Sequence, residues 1–385
     1  MLLFSVLGGL LIGLGIILVV ANNWDDLGRP ARTALAFLPM AVGQGLVLFT
    51  VLKRAAHRGW CEGSAVFLLL AVGACIAMMS QIYHTGGTLE EFLLLWSVLT
   101  VGLLYVPGSL LAGMLYLGMI TWYAGLVRME NWSSTALPWL YWPLLAAAFP
   151  LIVREGKARG KTIGFHWLML VLASSIGVAS QLFWRNDHFE IALGIAGLAA
   201  AYLLVPALHR GTALRTKAFP VIGGMAMLGV LIFLSYHDVW AHELRRGRVL
   251  SEDLWPALAM VALGLAALAW NLRARKSFLD DLMPLSLLVV LLAYGAGWAS
   301  PVLATVLINA WMLLLGILTL RSAFDEASFR RMNLGLAIIS LVVGLRFFDL
   351  DISVAIKGAV FIALGVAFLV MNLRLVRLRN KQPHA

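Results

Sequence analysis

The sequence predicts an all-α, polytopic membrane helix bundle, and three observations carry that prediction. Of 385 residues, 62% are hydrophobic and only 12% charged, with a mean hydropathy of +0.91, whereas a soluble domain carries about 25% charged residues. So much apolar surface cannot be hidden in a water-soluble globule, because burial is limited by surface-to-volume scaling. The apolar residues also arrive in runs close to the about 20 residues that cross a bilayer. Finally, Lys and Arg crowd into alternate connections. Together these exclude a disordered chain, a secreted disulfide scaffold and a soluble enzyme on one anchor.

Bounded by charges, Pro, Gly or Asn, the runs give fourteen spans within a single transmembrane domain, 1–385. The first, 2–21, starts Leu2-Leu3-Phe4 with no basic n-region and no small-residue cleavage site, so it reads as a span and not a cleaved signal. Next come 33–52 and 64–82, followed by 91–106 and 108–126, which are parted only by Pro107-Gly108. The sequence continues with 137–153, 162–183, 191–208, 218–237 and 254–270. Spans 282–298 and 300–320 meet at Ser300-Pro301, a second tight break. The last two are 332–348 and 353–373. No connection exceeds 17 residues, so no soluble catalytic domain is available.

Fourteen spans place both termini on one side, and that side holds 20 of the 29 Lys and Arg. Eight lie on the other side, and Lys357 falls within the last span. The positive-inside rule then puts both termini in the cytoplasm. Acidic residues divide the other way, six inside and thirteen outside, giving +14 on the inner face and −5 on the outer. The overall +10 is therefore a matter of topology and anionic lipid, and nucleic acid is excluded as a partner. Trp24, Trp60, Trp132, Trp184, Trp240, Trp255 and Trp270 fall at span ends, as an aromatic belt does. Cys61 and Cys75, 14 residues apart, would lie about 21 Å apart on one helix, beyond disulfide reach.

Polar residues that are not simple basic loops collect at the outer span ends. They make a candidate outer pocket of Asn23, Asp25, Asp26, Gln81, Tyr83, His84, Gln181, His237, Asp238, Arg346, Asp349 and Lys357. Polar groups at membrane depth are costly and face a cavity or each other. Simpler roles compete for several neighbours. Thr88 with Glu91, and Asp187 with Glu190, have capping-box spacing, and Asp351 is placed to cap the last span. Lys357, about 9 Å past Asp351 on a helix, can snorkel to the interface or find an acidic partner on another helix. Gln44 and Asn309 read as interhelical hydrogen-bonding residues, and Gly9 with Gly13 as a packing face. The five-residue spacing of His237 and His242 does not put two imidazoles on one helix face, so neither a metal nor any other cofactor is expected.

Ser80-Gln81-Ile82-Tyr83 and Ser180-Gln181-Leu182-Phe183 lie 100 residues apart, each before a short polar loop. They suggest a parallel repeat relating 64–106 to 162–208. Three stretches are Ala21-Asn22-Asn23-Trp24-Asp25-Asp26-Leu27, Gln81-Ile82-Tyr83-His84 through Phe92-Leu93-Leu94-Leu95-Trp96, and Arg346-Phe347-Phe348-Asp349 through Lys357 and Gly365. In these the sequence resembles a bacterial family of predicted membrane proteins, numbered 2157 among the domains of unknown function, and its relative numbered 4401. The resemblance implies a multi-pass protein of the bacterial cytoplasmic (inner) membrane and brings no activity. The short polar segment that often precedes span one in that family is lacking, as a longer native start would explain.

The expected partners are the lipid bilayer and a lipid-linked or small-molecule substrate. Fourteen short-looped spans, the repeat, and intramembrane Lys357 and Arg346 suggest a transporter or flippase-like protein. A membrane-embedded transferase or hydrolase acting on a lipid-linked substrate at the outer, periplasmic face is the alternative, with His84, His188 or His237 as base and Arg185 holding a phosphate beside Asp238. An accessory or scaffold subunit is the third reading. No nucleophile, phosphate loop or metal spacing stands out, so the sequence leans away from an enzyme.

Overall fold

The structure, a computed structural model, describes residues 27–106, 108–130, 137–182, 188–208, 218–245, 254–274, 282–325, 328–349 and 354–381, and their regular structure is helical throughout. The chain divides into two compact units, Met1–Leu182 and Phe183–Ala385.

In the first unit, α1 (Arg29–Lys53) packs on α2 (Arg58–Tyr83), which meets α3 (Leu89–Thr100) and α4 (Leu110–Glu130); α5 (Tyr141–Arg159) and α6 (Ile163–Gln181) also lie on α4. Helix α4 is the hub because its buried residues, Ala112, Tyr116, Leu117, Ile120, Tyr123 and Ala124, recur at helical spacing. Hydroxyls tie its neighbours to it. Thr121 and Tyr141 both bond Ser175 Oγ, at 2.6 and 2.8 Å, and Tyr116 donates to the Leu144 carbonyl. Trp96 of α3 lies against Gly73 of α2, where a Cβ would approach its ring to 2.5 Å, and donates to the Leu69 carbonyl.

In the second unit, α7 (His188–Leu208) packs on α8 (Ala218–Leu234), α10 (Leu254–Ala274) and α11 (Ser286–Ala299). Helix α12 (Pro301–Asp325) gathers α11, α13 (Phe329–Asp349) and the short α9 (His237–Arg245), and α14 (Val354–Lys381) meets α13. Two crossings bring backbone against backbone. A Cβ on Gly197 of α7 would come within 2.5 Å of the Met260 carbonyl, and one on Gly335 of α13 within 2.9 Å of the Gly316 carbonyl on α12. Small residues serve this purpose in membranes, where helix association depends on close packing. These glycines escaped the sequence reading, and Gly9 and Gly13, which it chose, lie outside the described residues.

Thirteen of the expected spans overlap helices, and 2–21 lies outside the described residues. Among the described residues six helices are long and apolar enough to cross a membrane: α1, α2, α4, α6, α10 and α12. Both tight breaks are real. Gly108 adopts φ +63°, a conformation that suits glycine, before α4 starts. Ser300 is extended between α11 and α12, with Pro301 as the first helical residue. Cys61 and Cys75 share α2 and are both free and buried.

Three expectations need correction. Span 218–237 stops at Leu234, and His237 opens the separate helix α9, nine residues long and too short to cross. Trp240 on α9 is fully buried and packs edge-on against Tyr294, so it is a core residue; Trp60, Trp255 and Trp270 are exposed, as a belt requires. Gln44 lies on the exposed face of α1, because Gly43 and Val47 occupy the face against α2.

Gly197→Ala is expected to lower the thermal unfolding midpoint of the detergent-solubilised protein by the equivalent of about 1–3 kcal/mol, the usual cost of overpacking. Gly229→Ala, where an added Cβ meets nothing within 4 Å, should leave the midpoint unchanged or slightly raised. Equal midpoints for the two variants would rule out the close crossing.

Candidate functional site

The polar residues at the α8–α9 junction are assembled by a helix that stops early. Where α8 ends, the carbonyls of its last turn lose their helical donors, and a buried carbonyl without a donor is costly. Ser235, which is fully buried, supplies one of them. Its carbonyl accepts from Arg346 on α13 at 2.9 Å and from Asn309 on α12 at 3.0 Å, while its hydroxyl accepts from Arg346 at 3.0 Å. The Leu234 carbonyl accepts from the Trp240 indole at 2.7 Å. The Arg346 guanidinium also stands 5.2 Å from the centre of the Tyr236 ring, a cation–π distance. His237 and Asp238 follow at once, exposed, with Nδ1 and Oδ1 3.8 Å apart. Arg346, Ser235, Tyr236 and Asn309 thus form a half-buried polar group at one end of the second unit. Asn309 is the interhelical residue that the sequence suggested.

The first unit holds four more residues of the expected pocket, and three of them are engaged locally. His84, at φ 53°, is the left-handed residue that ends α2, and its N–H caps the Ser80 carbonyl. Tyr83 bonds Thr33 at 3.0 Å, while Gln81 is exposed. Gln181 donates to Ser180 at 2.9 Å. The Thr88–Glu91 capping box is fully formed at the start of α3. Asn23, Asp25, Asp26, Arg185, Asp187 and Asp351 lie outside the described residues. Asp349 and Lys357 are placed on α13 and α14 by backbone alone, and the His188 side chain is likewise outside the description. Among the described residues no three His, Cys, Asp or Glu side chains gather as a metal site would require.

A second polar cluster, at the basic end of the first unit, was missed. Glu62 of α2 accepts from Ser109 Oγ and from the amides of Leu110 at 3.1 Å and Leu111 at 2.9 Å, so its carboxylate sits on the N-terminus of α4. Ser109 itself caps Ala112 N. On α5, the buried Glu155 lies between Arg154 at 3.3 Å and Arg159 at 3.1 Å. Arg154 donates to the carbonyls of Leu104 and Tyr105, closing the end of α3 and the 3-10 turn Val101–Leu104 that extends it. Arg159 donates to the Gly108 carbonyl at 3.3 Å. Sequence offered one signal for this, the i,i+4 spacing of Glu155 and Arg159. Glu62 gives none, because its partners are 47–49 residues away.

Trp240→Phe keeps an aromatic ring in the core, removes the donor to the Leu234 carbonyl and leaves the space of the pyrrole ring unfilled. It should destabilise the protein by about 1–3 kcal/mol, the cost of stranding a buried acceptor. Thermal unfolding in detergent measures this, and a midpoint equal to wild type would contradict the junction as described.

No curated protein and no solved structure matches the chain. Over residues 1–113 the sequence matches the family described as "Predicted membrane protein (DUF2157)", which the Ala21–Leu27 and Gln81–Trp96 stretches resemble.

Proposed function

We propose that this is a multi-pass protein of the bacterial inner membrane, with fourteen spans and both termini in the cytoplasm, acting as a transporter or flippase with a polar site near the outer face. The observation that carries the reading is the interrupted helix at Ser235-Tyr236, with Arg346 and Asn309 on its freed carbonyl. Broken helices with charged side chains beside them mark substrate paths in membrane transporters. A guanidinium beside an aromatic ring suits an anionic headgroup, since it offers charge in a fixed fork. Within the second unit, Asp349, at the end of the helix that bears Arg346, and Lys357 on α14 extend the proposed site.

A transferase or hydrolase acting on a lipid-linked substrate is the second reading, favoured by the His237–Asp238 pair next to Tyr236. The exposure of both side chains weighs against it, because general acid–base work gains from a shielded site.

The test is reconstitution into vesicles with a fluorescent phospholipid in both leaflets, followed by a membrane-impermeant reductant. A flippase carries inner-leaflet probe outward, so bleaching proceeds past the outer-leaflet fraction. Arg346→Met and Lys357→Ala should each slow that phase about tenfold, the effect of losing roughly 1.4 kcal/mol at the rate-limiting step. Bleaching that stops where protein-free vesicles stop would reject lipid transport, and a change in the probe's mass would favour the enzyme.

A further inference from the structure

The cluster at the basic end of the first unit borders a cleft of about 230 Å³ whose lining includes Arg154, Glu155, Arg159 and Gly108 together with Val51 and Val106. We propose that this cleft binds the phosphodiester headgroup of an anionic phospholipid. The inference relies on the chain being a membrane protein and not on transport.

Charge is the first argument. Two guanidiniums and one carboxylate leave a net positive charge, and the cleft's remaining lining residues, Thr50, Ala55 and Cys61 among them, carry none. Glu62 is not among the residues that line the cleft; its carboxylate is turned to the amides at the start of α4. Geometry is the second. The carbonyls of Leu104, Tyr105 and Gly108, together with Glu155, hold both arginines in place before any ligand arrives. Their ordering cost is therefore met in folding, which favours affinity. Arg154 and Arg159 keep 46% and 21% of their side chains exposed, so each still has surface to offer an anion.

Size and polarity select a lipid over a soluble anion. The volume falls below the about 300–1,000 Å³ of pockets that enclose whole small molecules; it takes a headgroup and leaves the chains outside. Val51 and Val106 are exposed apolar side chains, 37% and 59% accessible, suited to acyl chains and of no use to free phosphate. Lys53 and Arg54, next to the lining residue Ala55, and Lys157 on α5 add the basic surround that attracts anionic lipid.

Native mass spectrometry of the full chain, released from mild detergent with added phosphatidylglycerol or phosphatidylcholine, tests this. Wild type should retain phosphatidylglycerol in clear preference to phosphatidylcholine. Arg159→Gln should lose roughly fivefold in retention, and Arg154→Gln with Arg159→Gln roughly twenty-fivefold. Val106→Trp changes an exposed residue and leaves every charge in place; it should reduce retention by filling the cleft, which separates occupancy from folding damage. Equal retention of the two lipids, or retention unchanged in Arg159→Gln and Val106→Trp, would overturn the proposal. Displacement of the lipid by millimolar inorganic phosphate would overturn the lipid and assign the cleft to a soluble anion. Because Arg346 and Lys357 are untouched, failure here leaves the bleaching experiment's result standing.

Discussion

A helix that ends among apolar neighbours leaves carbonyls with no water to receive them, and each such group costs several kcal/mol if it stays unmet. The polar features of this protein follow from how those groups are met. At Ser235 the donors are Arg346 and Asn309; at Leu234 the donor is the Trp240 indole. After α3 the donors are the two guanidiniums of α5, reaching Leu104, Tyr105 and Gly108. At Ser300 the break is so short that its N–H still returns to Ala296, and no side chain from elsewhere is needed.

Packing imposes the complementary demand. Lipid tails are as apolar as leucine, so helices gain little by hiding leucine from them and depend on close contact and hydrogen bonds. The core of the second unit is accordingly rich in alanine along α7, at Ala192, Ala196, Ala199 and Ala200, with Gly197 where α10 crosses. Large exposed residues, Leu292, Val306 and Ile362 among them, are left to the solvent side, where a membrane supplies the partner. In the first unit the same economy appears as Gly73 beneath Trp96 and as the hydroxyl chain through Ser175.

The helices were legible in the sequence because their signal is compositional: long apolar runs stopped by Pro, Gly or charge. Both tight breaks and the Thr88–Glu91 box were readable for the same reason, since their cause lies within a few residues. What sequence could not show were contacts between residues far apart in the chain. Ser235 and Arg346 are 111 positions apart, and Glu62 and Ser109 are 47 apart. Trp240 misled because an aromatic residue at a span end reads as a belt residue unless a separate short helix starts there and packs that residue inward, as α9 does. The looser Arg346–Gly365 resemblance lies beyond the 113 residues that match the family.

The signs of the charges at these breaks follow helix polarity. A helix carries partial positive charge at its amide end and partial negative charge at its carbonyl end. Glu62 sits on the amide end of α4, while Arg154 and Arg346 sit on the carbonyl ends that follow α3 and α8. An arginine placed this way satisfies backbone groups and is itself partly neutralised, which lowers the cost of keeping it in apolar surroundings. It still has a formal positive charge and further N–H donors, so structural fixation and anion recognition draw on the same side chain. Glu155 makes a second guanidinium tolerable beside the first at the basic end. At the Ser235 break the Tyr236 ring contributes to the same end by accepting the cation on its face. The two polar clusters are therefore one physical solution reached with different partners, and in each the arginine that closes the helix is the group with charge left to offer.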